Sequence, residues 1–312
     1  MPVGREHRSK GSVYRATVPV TAPFRLDFTT TALRRLATNS VDCVDGETYA
    51  RAFDDGTGVV VARVRQPSAR SVDIVVEGRD PECYVAVVER MLGLRRSLRS
   101  WYRHAAAVPW VHELSRRFLG LKPPCYPTLW EALCHAIVFQ QISLHAASSI
   151  MRRVVEQFSP PVESGGRMLF PFPAPGAIAQ AADAALRACG LSAPKISALR
   201  EASAAVLDGR VDAAELDGLT TAEACARLTA LRGIGPWSAT VVMLRGAGRL
   251  ELFPRRDSGV AASLKLLSGN RNLDAERLLD ELGDQRGMLY FHLLLGRLAL
   301  ADAKRAATNP GL

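Results

Sequence analysis

The sequence has no apolar run long enough to cross a bilayer, no C-x-x-C pair, no Cys/His cluster at metal-ligand spacing, no internal repeat and no low-complexity tract. Each absence closes a class. Without a long apolar run the chain is not membrane-embedded. The six cysteines, Cys43, Cys83, Cys125, Cys134, Cys189 and Cys225, are scattered, which argues against structural zinc, a thioredoxin-type motif and a local four-cysteine iron–sulfur loop. They read as reduced thiols of a cytoplasmic protein. His104, His112, His135, His145 and His292 also lack metal spacing, so no metal is expected. Residues 1–17 lack the apolar core of a signal peptide, and Arg5, Arg8, Lys10 and Arg15 read as a flexible basic arm. What is present is ordinary in bulk: 312 residues, enough for about two domains, and an apolar fraction that needs no disulfide or metal staple. Forty Lys and Arg against 31 Asp and Glu give +9, which favours a polyanionic partner, nucleic acid ahead of an anionic membrane surface. No basic amphipathic helix supports the membrane option.

The pattern divides the chain. From Val18 to about Gly78 it is strand-like: Pro23–Phe28 and Ser71–Gly78 alternate apolar and polar residues, and Gly58–Val64 is a β-branched run. Turns are expected at Asp45-Gly46 and Asp54–Gly58, with helical spacing at Thr29–Ala37 and Asp80–Leu92. Beyond Arg95, Arg96, Arg99 and Arg103, a basic run read as a solvated helix face, no strand is expected. Thr128–Glu131 and Thr220–Glu223 fit capping boxes that start helices. The Pro/Gly-rich stretch from Ser159 to Pro175 reads as a surface loop or insertion point. The expected organisation is α+β: an arm over 1–17, an N-terminal α+β domain over 18–104, and an α-helical region over 105–312.

The most informative segment is Thr220–Leu244. A capped helix ends near Leu231-Arg232, Gly233-Ile234-Gly235 turns tightly, and Pro236 starts a second helix at its favoured first position. Glycines there let the backbone turn and approach a phosphate, while free N–H groups at the second helix's start point outward with the helix dipole. Such a helix-hairpin-helix binds DNA backbone without reading sequence. Taken alone, a G-x-G also suits any tight helical connection.

Asp257 follows the second glycine by 22 residues and opens another helix. This pairing, with Gly233–Ala239, Phe139-Gln140-Gln141-Ile142-Ser143 and Gly190-Leu191-Ser192 followed by Lys195 and Leu199, resembles the helix-hairpin-helix (HhH-GPD) base-excision DNA glycosylases. More narrowly, it resembles the 3-methyladenine DNA glycosylase II family, over roughly residues 20–300. The resemblance implies a small TBP-like α+β domain before an all-α HhH-GPD region. It also makes Asp257 the essential acid. Chemistry supplies an independent reason, because breaking the bond between base and deoxyribose leaves an oxocarbenium-like sugar that a carboxylate stabilises. Asp257 also suits a helix N-cap, and the two roles are compatible.

In bifunctional members of the superfamily a lysine follows the hairpin and forms a Schiff base. Here that residue is Trp237, so the resemblance implies a monofunctional enzyme that uses water and leaves an abasic site. The Trp237 face can stack on an electron-poor alkylated purine, although a tryptophan there also fills core. Extrusion of the base requires something to occupy the gap. Gln140, Gln141 and Ile142 resemble the family's wedge loop, and Ser143 also fits an N-cap. Phe139, Trp130 and Tyr126 are base-pocket candidates, though helically spaced aromatics are commonly core. The family commonly carries Pro-Trp-Arg-Ser before its last helix. This chain has Gln285-Arg286-Gly287-Met288, so Gln285 replaces a pocket aromatic, and Tyr290 or Phe291 is left to supply the ring. Arg255 and Arg256 read either as phosphate contacts or as a solvated face.

The expected activity is excision of alkylated bases of the 3-methyladenine and 7-methylguanine type from duplex DNA by a monomer. No organic cofactor is expected. The family hairpin can hold a monovalent cation between its carbonyls and a phosphate. The alternatives are a glycosylase for deaminated or oxidised bases and a non-catalytic binder of damaged DNA.

Overall fold

The structure, a computed structural model, describes residues 12–54 and 56–308. Strands β1 (Ser12–Pro19), β2 (Asp42–Asp45), β3 (Thr48–Asp54), β4 (Val59–Ser68) and β5 (Ser71–Gly78) form an antiparallel sheet in the order β1-β5-β4-β3-β2, with helix α1 (Leu26–Arg34) between β1 and β2. Period-two alternation makes β5: Val72, Ile74 and Val76 are fully buried and the residues between them are not.

Two expectations change here. Residues 12–17 are strand rather than arm, paired with β5, and only Val18 of β1 is buried except for partial cover of Ala16. An exposed edge strand is held by backbone bonds and leaves almost no hydrophobic pattern to read. The rest of the expected arm, residues 1–11, lies outside the described residues, as does Asp55 in the expected turn at 54–58. The alternation at Pro23–Phe28 is not a strand. Leu26 begins α1, where Leu26, Thr30 and Leu33 lie on one buried face at helical spacing.

Helices follow: α2 (Cys83–Met91), α3 (Arg99–Ala105), α4 (Pro109–Arg117), α5 (Leu129–Val138) and α6 (Leu144–Phe158). The Pro/Gly-rich connection then folds into a small hairpin, β6 (Val162–Ser164) and β7 (Arg167–Leu169), contrary to the expectation of no further strand. Gly165 and Gly166, at φ +62° and +76°, make its two-residue turn. It reaches back to the sheet, where Leu169 packs on Ala52 and Val61 and Arg167 meets Asp45 at 2.8 Å. The remaining helices are α7 (Pro175–Gln180), α8 (Asp183–Ala188), α9 (Ala193–Leu207), α10 (Ala213–Gly218), α11 (Thr221–Thr229), α12 (Pro236–Gly246), α13 (Ser258–Ser268), α14 (Ala275–Glu281) and α15 (Arg286–Thr308), with a 3-10 turn at Gly283–Gln285. None is long and apolar enough to cross a membrane.

One core joins the sheet to α5, α9 and α12; a second gathers α3, α4 and α15. The expected domain break at 104 therefore falls inside α3, whose Trp101 is fully buried against His292 of α15. All ten residues of α5 are buried. Its capping box is half formed. Thr128 accepts from the Glu131 N–H, but the Glu131 side chain leaves the cap and pairs with Arg51 of β3, which also meets Asp42 at 2.7 Å. This buried charge cluster fastens the sheet to the helix that supports the site.

Candidate active site

A cleft of about 1820 Å³ runs between the hairpin, the loop after α5, the start of α13 and α15. The hairpin is built as its sequence suggests at both ends: α11 has a complete Thr220–Glu223 capping box, and Pro236 occupies the first turn of α12. The two glycines differ in purpose. Gly233 sits at φ +85°, and a Cβ there would approach the Ala198 methyl to 2.5 Å, so turn and packing both require glycine. Gly235 has an ordinary φ of −90°, and a Cβ there would meet nothing within 4 Å, so its place at the N-cap of α12 is open on that side. Ile234 between them is buried as the anchor.

Asp257 is the N-cap of α13, and its Oδ1 accepts from the Val260 N–H at 2.9 Å. Its Oδ2 accepts from Trp237 Nε1 at 3.1 Å. Both oxygens are thus oriented, and the half-buried carboxylate lines the cleft. No lysine lines this cleft among the described residues. Its charged rim is mainly arginine: Arg232, Arg255, Arg256, Arg286 and Arg297 line it, with Arg255 paired to Glu276.

At another part of the cleft wall four side chains from distant segments converge: Arg35, His135, Phe139 and Tyr290. Arg35 caps α1 at φ +66°, is 8% exposed, lies 4.4 Å above the Phe139 ring and donates to the Tyr290 hydroxyl across 3.5 Å. Burial and the nearby Arg35, Arg245 and Arg51 hold His135 well below its usual pKa, so its imidazole is neutral at pH 7. Burial would raise the Tyr290 phenol, but Arg35 and Arg245 outweigh it and leave the group more acidic than an ordinary tyrosine. Arg245 itself is fully buried and ties to α1 by donating to the Ala32 carbonyl at 2.9 Å.

The other expected site residues separate into two groups. Trp237, Phe139, Gln140, Gln141, Ile142 and the hairpin all border the cleft. Gln140 is not free at the tip: its amide donates to the Gly233 carbonyl at 2.9 Å and to Ser238 Oγ at 2.8 Å, bracing the loop against the hairpin. Gln141, at φ +57°, and exposed Ile142 form the projecting tip, and Ser143 caps α6. Trp130, Tyr126 and Gln285 are not brought to the cleft. Trp130 is buried and donates to the Pro173 carbonyl at 2.7 Å, and Tyr126 is buried in a stack on His135 with centroids 4.3 Å apart. Gln285 ends the 3-10 turn one residue before α15, and the helix instead presents Tyr290; Phe291 is fully buried. Nothing local along the chain marks Arg35 or His135, which reach the cleft wall through the meeting of the ends of α1 and α5 with α15.

Residues 134–285 match the HhH-GPD superfamily base excision DNA repair proteins. The DNA-3-methyladenine glycosylase of Bacillus subtilis is 30% identical over 207 residues, 66% of this chain and 67% of that one. A protein of Mycobacterium tuberculosis described as a probable bifunctional transcriptional activator/DNA repair enzyme AlkA is 28% identical over 80% of this chain and half of its own length. A 3-methyladenine DNA glycosylase structure from Archaeoglobus fulgidus superposes with a TM-score of 0.77 at 24% identity, covering 90% of this chain and 97% of that one. The glycine hairpin, the capped aspartate bonded to Trp237 beside it and these similarities agree: the chain belongs to the HhH-GPD superfamily of base excision DNA repair proteins.

Proposed function

We propose that this protein is a monofunctional DNA glycosylase that extrudes alkylated bases of the 3-methyladenine and 7-methylguanine type from duplex DNA and hydrolyses their N-glycosidic bonds. The observation that carries the reading is the Asp257 carboxylate, held at a helix N-terminus by Val260 N–H and Trp237 Nε1 inside the cleft that the hairpin borders. The hairpin, with open space beside Gly235 at the start of α12, and the arginine rim suit phosphate contacts, while Ile142 is available to fill the space left by the flipped nucleotide. A methylated purine nucleotide of this type is cationic and leaves as a neutral base when its bond to C1′ breaks. Positive charge then develops on the sugar, where Asp257 opposes it and accepts a proton from the attacking water. The products are the free base and an abasic site.

The lack of a lysine in the cleft wall supports hydrolysis without Schiff-base chemistry. The names of the Bacillus and Archaeoglobus proteins favour alkylated bases over oxidised ones. Product analysis on methylated duplex DNA tests the proposal. Free methylpurine should appear with strands that break only after alkali, and borohydride should trap no covalent enzyme–DNA adduct. A borohydride adduct, or no released base, contradicts it.

A further inference from the structure

Asp257 has a charged neighbour that the hydrolysis proposed above leaves without a task. Arg297 follows Tyr290 by two helical turns on the side of α15 that lines the cleft, and it is exposed there. It meets the first turn of α13, where its Nη1 donates to the Gly259 carbonyl at 3.3 Å. Gly259 lies two residues past Asp257, and a Cβ on it would stand 3.1 Å from Asp257 Oδ1 and 3.3 Å from Arg297 Nη1. The carboxylate and the guanidinium therefore flank one small space that glycine leaves open. They do not pair across it. The Asp257 oxygens accept from Val260 N–H and Trp237 Nε1, and no carboxylate is ion-paired with Arg297 among the described residues. Arg255, two residues before Asp257, is by contrast taken up by Glu276.

We propose that Arg297 grips a phosphate next to the extruded nucleotide, so that α15 holds the backbone while α13 presents the acid to the sugar. This rests on the glycosylase reading above. A guanidinium carries a planar fork of N–H donors, and one bond to a neutral carbonyl neither uses them up nor balances the charge. The fork fits an anion with two oxygens side by side, and a phosphodiester is the anion that the proposed substrate brings. Asp257 acts at C1′ of the extruded nucleotide, and the phosphates on either side of that nucleotide are joined to the same sugar. An arginine one small space away from the carboxylate meets them when the sugar is in place. A direct pair between Arg297 and Asp257 would cancel the negative charge that opposes the developing positive sugar, and the Gly259 carbonyl gives the guanidinium another partner. The hairpin then holds the duplex, and Arg297 fixes the lesion nucleotide itself against the acid.

The test uses the full chain and duplexes that carry a tetrahydrofuran abasic-site analogue, either unmodified or with one neutral methylphosphonate at the phosphate 5′ or 3′ to the analogue. Wild type should bind one of the two modified duplexes about tenfold more weakly than the unmodified one, through loss of a charge-assisted contact. Arg297→Gln should bind that duplex and the unmodified one alike, because the contact is already gone. Its log Kd should also change less steeply with log salt, by about 0.9 in slope, and Arg297→Lys should restore the slope by keeping the charge. If Arg297 only ties α15 to α13, Arg297→Gln binds every duplex more weakly but keeps the methylphosphonate penalty, and that result overturns the inference. A wild type indifferent to both modifications overturns it too. Release of methylpurines from methylated duplex DNA by wild type, measured alongside, keeps the two readings apart. Release without coupling between Arg297 and either phosphate removes the clamp and leaves the glycosylase, whereas no release removes both.

Discussion

The indole of Trp237, in the first turn of α12, donates to Asp257 Oδ2 across 3.1 Å and so joins the glycine hairpin to the N-terminus of α13. The residue that follows the hairpin's proline therefore orients the acid. Its edge is committed to that carboxylate, whatever its face does with a base.

Replacing Trp237 by phenylalanine keeps an aromatic face and deletes only the donor. Loss of one hydrogen bond to a charged acceptor should slow single-turnover base release about tenfold. DNA affinity should change little, because the hairpin backbone is untouched. Measured release rate and duplex Kd separate the two effects, and an unchanged rate would show that Asp257 does not need this bond.

Ile142 projects from a loop braced by Gln140, with 38% of its surface exposed. In the proposed reaction it fills the space that the extruded nucleotide leaves in the duplex. Ile142→Ala should reduce release from duplex DNA by about tenfold, in line with the loss of a buried apolar contact. The same lesion in single-stranded DNA should show a smaller loss, since no stack must be opened. Equal losses on the two substrates would remove the wedge role.

His292 is fully buried beside Trp101, and its pKa falls to about 4, below the ordinary 6.5, because burial disfavours the charged ring. The unfolded chain then binds more protons than the folded one between those values. Stability from this group is complete above about pH 6.5 and is lost as pH falls toward 4, by up to about 3 kcal/mol over the full interval. In urea unfolding followed across that range, His292→Phe should show a shallower decline than wild type. Parallel curves would contradict the assignment.

Local chemistry carried much of the fold into the sequence. The Thr220–Glu223 box, the buried alternation of Ser71–Gly78 and the Asp257 cap each depend on neighbours a few residues apart, and each is found where its spacing places it. Glu131 shows the limit of that method. Its spacing from Thr128 fits a capping box, but a buried Arg51 from the sheet offers a stronger partner and takes the side chain. The cleft wall is harder still. Arg35, His135 and Tyr290 meet only because α1, α5 and α15 pack together, so their convergence has no signature along the chain. Tyr126 and Trp130 sit on or beside the right helix but face its packed side, where a ring and a ligand-facing aromatic have the same spacing.

The most direct test of the central claim compares wild type with Asp257→Asn for release of 3-methyladenine and 7-methylguanine from methylated duplex DNA. Asparagine keeps the shape and an oxygen able to cap α13 but removes the negative charge. The account predicts clear release by wild type, a loss of at least about 100-fold in the variant, as expected when a charge facing the transition state is removed, and retained DNA binding. Undiminished release by Asp257→Asn would contradict the account.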